Sequence, residues 1–185
     1  MHTSAGGGIV VVKFHPGGAA PFFETPLDEL FGEIRPLTDW IPSREVDRLE
    51  SRLGEAGDHA ARIAIVEAFL LARRRDRYVD DLVQAALREI QSAPETIRIR
   101  SLAETLGVSL DALEKRFRRA VGCTPKQLAS ILRLRGAVGR HRPGMNLAKL
   151  SLEAGFYDQA HFIRHFRSMA GVPPGRFFES EAFCS

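Results

Sequence analysis

The chain repeats itself. The stretch "LAETLGVSLDALEKRFRRAVGCTP", from Leu102, returns as "LSLEAGFYDQAHFIRHFRSMAGVPP", from Leu150. Leu102 pairs with Leu150 and Gly107 with Gly155. After one inserted residue, Leu113 pairs with Phe162, Phe117 with Phe166, Gly122 with Gly171 and Pro125 with Pro174. A duplication of this length makes each copy one supersecondary unit, so whatever the first copy folds into, the second must fold into as well.

In each copy an apolar-periodic helix breaks at a glycine, and a second helix starts after a residue able to cap it, Ser109 in the first and Asp158 in the second. Glycine tolerates the positive φ that ends a helix. A serine or aspartate oxygen accepts one of the amide protons left bare at the start of the next. Two helices joined through so short a turn make a helix-turn-helix unit. Between the copies, Pro125 to Arg140 reads as one helix, with Leu128, Ile131, Leu132, Arg135 and Val138 distributed over its faces, and "RPG" at 142–144 ends it. The expected fold is therefore mainly α: two helix-turn-helix subdomains, at about 99–121 and 146–170, joined by a long linker helix at about 125–140.

Ahead of the repeat the pattern changes. "IVVVKF" from Ile9 reads as one candidate strand, and "HPGGAAP" as a turn. Four helices are expected after it. The first starts at Pro26 with Leu27, Leu30, Phe31 and Ile34 in a stripe, and the second follows Ser43 with Val46, Leu49 and Leu53 inward. The third runs from an Asp58 cap to about Arg75; its apolar residues spread widely, as in a helix buried on several sides. The fourth carries Leu82, Val83, Ala86, Leu87 and Ile90. "RRRDR" at 73–77 is either a phosphate-binding patch or a solvated helix end. Pro94 places the expected boundary near residue 92, between a region at 1–92 with at most one or two short strands and a domain at 93–185.

Charge divides along the same line. Residues 1–96 sum to −5, residues 97–142 to +8 and residues 143–185 to zero, giving the overall +3. A basic block inside a folded domain fits a polyanion partner. No run approaches the roughly 18 consecutive apolar residues of a membrane span, so no membrane partner is expected. Two cysteines, Cys123 and Cys184, form neither a disulfide framework nor a metal spacing, and read as free thiols in a reducing cytoplasm.

At 100° per residue the second helix of each copy has two faces. In the first copy, Leu110, Leu113, Phe117 and Ala120 gather inward, and Asp111, Glu114, Lys115 and Arg118 face outward. In the second, Phe162, Phe166 and Met169 gather inward. The outward arc there holds Ala160, Ile163, Arg164 and Arg167, with Gln159 at its edge. His161 and His165 fall on the flank. Their i, i+4 spacing suits a metal, but no third ligand accompanies them and no glutamate follows His161 as a zinc-hydrolase helix requires. Ser168 and Cys123 lack an oxyanion or triad setting. The sequence points to no enzyme, no metal and no cofactor.

These residues closely resemble the DNA-binding half of the AraC/XylS-type transcription regulators. The likeness is carried by "LAETLGVSLDALEKRFRRAVGCTPKQL", "ILRLRGAV" and "LSLEAGFYDQAHFIRHFRSMAGVPPGRF", over residues 96–178. The resemblance implies a cytoplasmic, nucleoid-associated regulator that sets two recognition helices into successive major grooves of double-stranded DNA, with RNA polymerase as a second candidate partner. Residues 8–40 resemble the tail of a regulatory half that usually holds a many-stranded β-domain, so a complete small-molecule effector pocket is not expected here.

For the contacts the alternatives stay open. Asp111 and Glu114 either accept from cytosine N4, or bond neighbouring arginines or repel phosphate. Gln159 pairs with adenine or sits on phosphate. Ala160 and Ile163 suit thymine methyls, and Ile163 also suits the core. Lys115, Arg118, Arg164 and Arg167 suit phosphates or base edges. Two positions depart from the family: Lys115 stands where arginine is usual, which favours phosphate over bidentate guanine reading, and Ser151 stands where alanine is usual, so its hydroxyl needs a partner such as a carbonyl one turn back. The competing reading is a helical protein–protein interaction module derived from such a regulator.

Overall fold

The structure, a computed structural model, describes residues 8–75 and 80–179. Its contacts divide the chain into two compact units: residues up to 79 with Arg119–Gly122, and Asp80–Arg118 with Cys123–Ser185. Among the described residues there are no strands, and no helix is long and apolar enough to cross a membrane.

In the first unit two helices, α1 (Ser43–Glu55) and α2 (His59–Arg73), pack on each other, preceded by short 3-10 turns at Ala20–Phe22, Leu27–Leu30 and Leu37–Asp39. Several expectations fail here. Residues 9–14 form no strand, and Ile9 and Val11 stand 91% and 80% exposed. An apolar run becomes a strand only when a neighbour takes up its amide ladder, and none does so here among the described residues. The helix expected from Pro26 is a single 3-10 turn; Leu27 is buried, while Phe31 and Ile34 lie in solvent. Asp58 caps α2 as expected, accepting from the Ala61 amide at 2.7 Å. Yet no residue of α2 is buried, and Ile63 and Leu71 are more than half exposed, so the wide spread of apolar residues does not mark a core helix. Glu45 of α1 pairs with Arg73 of α2, and Glu24 with Arg75; Asp76 and Arg77 of the basic run lie outside the described residues.

The second unit is built as the repeat requires. α3 (Asp81–Ser92) buries Val83, Ala86, Leu87 and Ile90 and packs on α6. It therefore belongs with the repeat, although Pro94 placed the expected boundary after it. α4 (Ile99–Thr105) and α5 (Leu110–Val121) make the first helical pair, and α6 (Pro125–Arg140) is the linker helix. α7 (Leu147–Glu153) and α8 (Gln159–Ala170) make the second pair, closed by α9 (Pro174–Glu179), which periodicity alone did not predict. α6 begins at a full capping box: the Thr124 hydroxyl accepts from the Gln127 amide at 3.0 Å, and the Gln127 side chain accepts from the Thr124 amide at 2.8 Å.

Each pair has its own core. Leu102, Ala103, Leu113 and Phe117 are buried in the first. In the second, Leu134, Ala137, Leu150, Ala154, Phe156, Phe162 and Phe166 form one cluster, with Phe177 and Phe178 of α9 packed against it. Met169, expected inward, is 42% exposed; the ring pairs Phe166–Phe177 and Phe166–Phe178, at 5.1 and 5.7 Å, engage Phe166 instead. Buried Ser151 donates to the Ala148 carbonyl at 2.7 Å, so its hydroxyl finds a partner within its own helix.

Two ion pairs brace this unit across long stretches of sequence. Arg116 of α5 makes two bonds to Asp80, at 2.7 and 2.6 Å, and Asp80 also accepts from the Leu82 and Val83 amides to cap α3. The Arg116 bond, working against the cost of burial, holds the Asp80 carboxyl below its usual range. Arg140 of α6 bonds Glu95 at 2.6 Å. Cys123 is buried, and burial pushes its thiol pKa up, which suits a small packing residue. Cys184 lies outside the described residues.

Candidate nucleic-acid interface

The two helical pairs present their second helices by the same local devices. Gly107 and Gly155 sit in the turns at φ of +68° and +71°, a conformation that side chains with a Cβ rarely adopt. Ser109 then accepts from the Ala112 amide at 3.2 Å and Asp158 from the His161 amide at 2.6 Å, which starts α5 and α8. Leu113 and Phe117 in one helix, Phe162 and Phe166 in the other, are fully buried. Their burial fixes the rotation of each helix and so decides which side chains face water.

On α5 the outward arc is where the projection puts it. Asp111, Lys115 and Arg118 are exposed, and Glu114 is half-buried. Glu114 and Arg118 approach to 3.6 Å, one helical turn apart, so of its two readings Glu114 already satisfies the one in which it bonds a neighbouring arginine. On α8, Gln159, Ala160, Arg164 and Arg167 are exposed. Ile163 is half-buried against the second core, which leaves only part of its side chain outward. The side chains of Lys115, Arg164 and Arg167 enter no ion pair among the described residues. Tyr157 stands 88% exposed in the turn that leads into α8; helical projection does not reach it, although its place in "GFYDQ" beside the cap is a usable signal.

The flanking histidines have another task. His161 and His165 both set their rings 5.4 Å from Phe156, and they lie 6.3 Å from each other. The Arg133 guanidinium covers the same phenyl ring at 4.9 Å. Burial first, then the charge of Arg133 and the neighbouring His161, pushes the His165 pKa down. His165, packed on Phe156 beside a fixed cation, is a packing element. Among the described residues no group of three or more His, Cys, Asp or Glu stands together as a metal site would need.

Comparison with known proteins agrees with this architecture. Residues 102–180 match the helix-turn-helix domain family. Two solved structures are similar. One is a transcriptional regulator from Chromobacterium violaceum, of the proteins that contain an AraC-type DNA-binding domain, at 22% identity and TM-score 0.46, over 52% of this chain and 88% of that one. The other is a probable AraC family transcriptional regulator from Rhodopseudomonas palustris CGA009, at 26% identity and TM-score 0.46, over 52% of this chain and 94% of that one. No curated protein matches the chain. The two helical pairs, in order about the linker helix α6, lie within the residues 102–180 that resemble the helix-turn-helix domain family.

Proposed function

We propose that the chain is a sequence-specific DNA-binding transcription regulator that sets α5 and α8 into successive major grooves of one duplex. The observation that carries this reading is the pairing of two helices built alike, each rotated by its buried aromatic residue so that a cation-bearing arc meets solvent. A major groove admits one α-helix, and neighbouring grooves on one face recur about every 34 Å. A 16-residue linker helix, rising about 1.5 Å per residue, puts roughly 24 Å of rigid helix between the pairs on a single chain, shorter than that repeat but of the same order.

The roles divide by chemistry. Gln159 and Arg164 reach base edges, Ala160 and the outward part of Ile163 meet thymine methyls, and Asp111 is the acceptor for cytosine N4 on α5. Lys115, Arg118 and Arg167 meet phosphate, with Glu114 orienting Arg118. Tyr157 joins the phosphate contacts at the entry to α8.

The test is selection of bound duplexes from a random library, followed by fluorescence anisotropy on the selected site. Arg164→Ala is expected to weaken the selected site on the order of tenfold, as the loss of one base-edge contact of about 1–3 kcal/mol does, and to weaken a random duplex by less, through the loss of its charge alone. Lys115→Ala is expected to weaken both duplexes alike and to flatten the salt dependence by about one unit. Failure of selection to enrich any sequence would overturn specific reading.

A further inference from the structure

Three segments meet where the second helical pair turns. The first is the loop at 93–97 that delivers the chain into α4, closed by the Thr96 and Ile97 amides donating to the Ala93 carbonyl at 3.2 and 3.0 Å. The second is the C-terminal half of α6, and the third is the end of α7 with its turn glycine. Glu95, in the loop, accepts from Arg140 Nη2 at 2.6 Å. The other amino group of Arg140 donates to the Glu153 carbonyl at 3.1 Å, and Arg133 donates to the Gly155 carbonyl at 3.3 Å. Gly155 lies directly on Glu95: a Cβ at 155 would stand 2.8 Å from the Glu95 Cβ and 3.0 Å from its carbonyl oxygen. The glycine is therefore required twice, by its positive φ and by this approach.

The arrangement does more than cap a helix. Glu95 belongs to the entry of the first pair, and Glu153 and Gly155 belong to the turn of the second. Arg140, on the helix that links them, bonds Glu95 and the Glu153 carbonyl at once. Neither Glu95 nor Arg140 lies on an outward arc. We infer that Glu95 is a positioning residue: with Arg140 and Gly155 it clamps the turn of the second pair to the entry of the first, so that the spacing of α5 and α8 is set before DNA is met. The inference rests on the DNA reading for its purpose, though not for its geometry. A preset spacing lowers the cost of seating the second helix once the first is bound. It also makes the chain intolerant of half-sites at the wrong separation.

The experiment uses the full chain and Glu95→Gln, which keeps the side chain's shape and removes its charge. Three duplexes are compared: the selected site, the same site with one half scrambled, and the site lengthened by one base pair between its halves. Glu95→Gln is expected to leave the one-half duplex within about twofold, as a substitution away from the contacts does, and to weaken the intact site on the order of tenfold, the usual scale of coupling between two sites. The penalty for the extra base pair should shrink, and Glu95→Asp should fall between wild type and Glu95→Gln. Equal losses on the intact and one-half duplexes, or no loss on either, would overturn the clamp. A second measurement needs no DNA: with Cys184 replaced by serine, spin labels at Glu104→Cys and Ser168→Cys report the separation of the pairs. Glu95→Gln should broaden a distribution that is narrow in the wild type, and an unchanged distribution overturns the clamp whatever the duplexes show. Wild-type protein that binds no duplex would instead overturn the DNA reading and leave the label distances to judge the clamp.

Discussion

Phe166→Ala is expected to remove about 3–5 kcal/mol of folding stability, the range for deleting a buried aromatic ring. Phe166 has no exposed surface, and its ring meets Phe162 at 5.6 Å, Phe177 at 5.1 Å and Phe178 at 5.7 Å. It therefore joins α8 to α9 as well as closing the second core. Small domains hold only about 5–15 kcal/mol in total, so the loss takes a large share. A urea titration followed by circular dichroism reads it as a shift in midpoint at nearly constant slope. DNA affinity should fall with it, because the rotation of α8 depends on that ring. A loss below about 1 kcal/mol would mean that the surrounding rings close over the gap, as well-packed cores rarely can.

Affinity for duplex DNA is expected to drop on the order of 100-fold between 50 and 200 mM salt. Each phosphate contact releases about 0.9 of a counterion from duplex DNA. Four exposed cations, Lys115, Arg118, Arg164 and Arg167, lie on the two arcs. If all four meet phosphate or displace its counterions, the slope of log affinity against log salt is about −3.6. A fourfold rise in salt then gives the stated loss. Fluorescence anisotropy with a random duplex tests the electrostatic part alone, since it needs no knowledge of the operator. An affinity that stays flat across this range would take the arcs off the polyanion and favour the protein–protein reading.

The sequence foretold α3 to α8 closely, and failed in front of them, for physical reasons. Inside the repeat every signal is local and mutually consistent: a helical period, a glycine with positive φ, a cap three residues before an amide that needs one. The unit ahead of it offers apolar residues without companions. Ile9–Val12 has strand composition but, among the described residues, no second strand to hold it, and α2 has core composition while Ile63 and Leu71 face solvent. Composition predicts burial only where another surface exists to bury against. The outward arcs were legible because the buried face of an amphipathic helix dictates the exposed one. Ile163 projects outward, with the core as its alternative, and sits at the border of the core. Invisible in one dimension were the pairings Asp80–Arg116 and Glu95–Arg140, which join residues 36 and 45 positions apart. No pattern of spacing announces such a bond. Glu95 and Arg140 read as ordinary charges until the fold brings them together over Gly155.

The two arcs are alike in placement and unlike in content: α5 shows carboxylates among its cations, and α8 shows an amide, a methyl and arginines. A chain that lays both on one duplex gives its operator a direction. Its left and right halves cannot be interchanged, and a promoter carrying the site backwards would meet the rest of the protein on the opposite side.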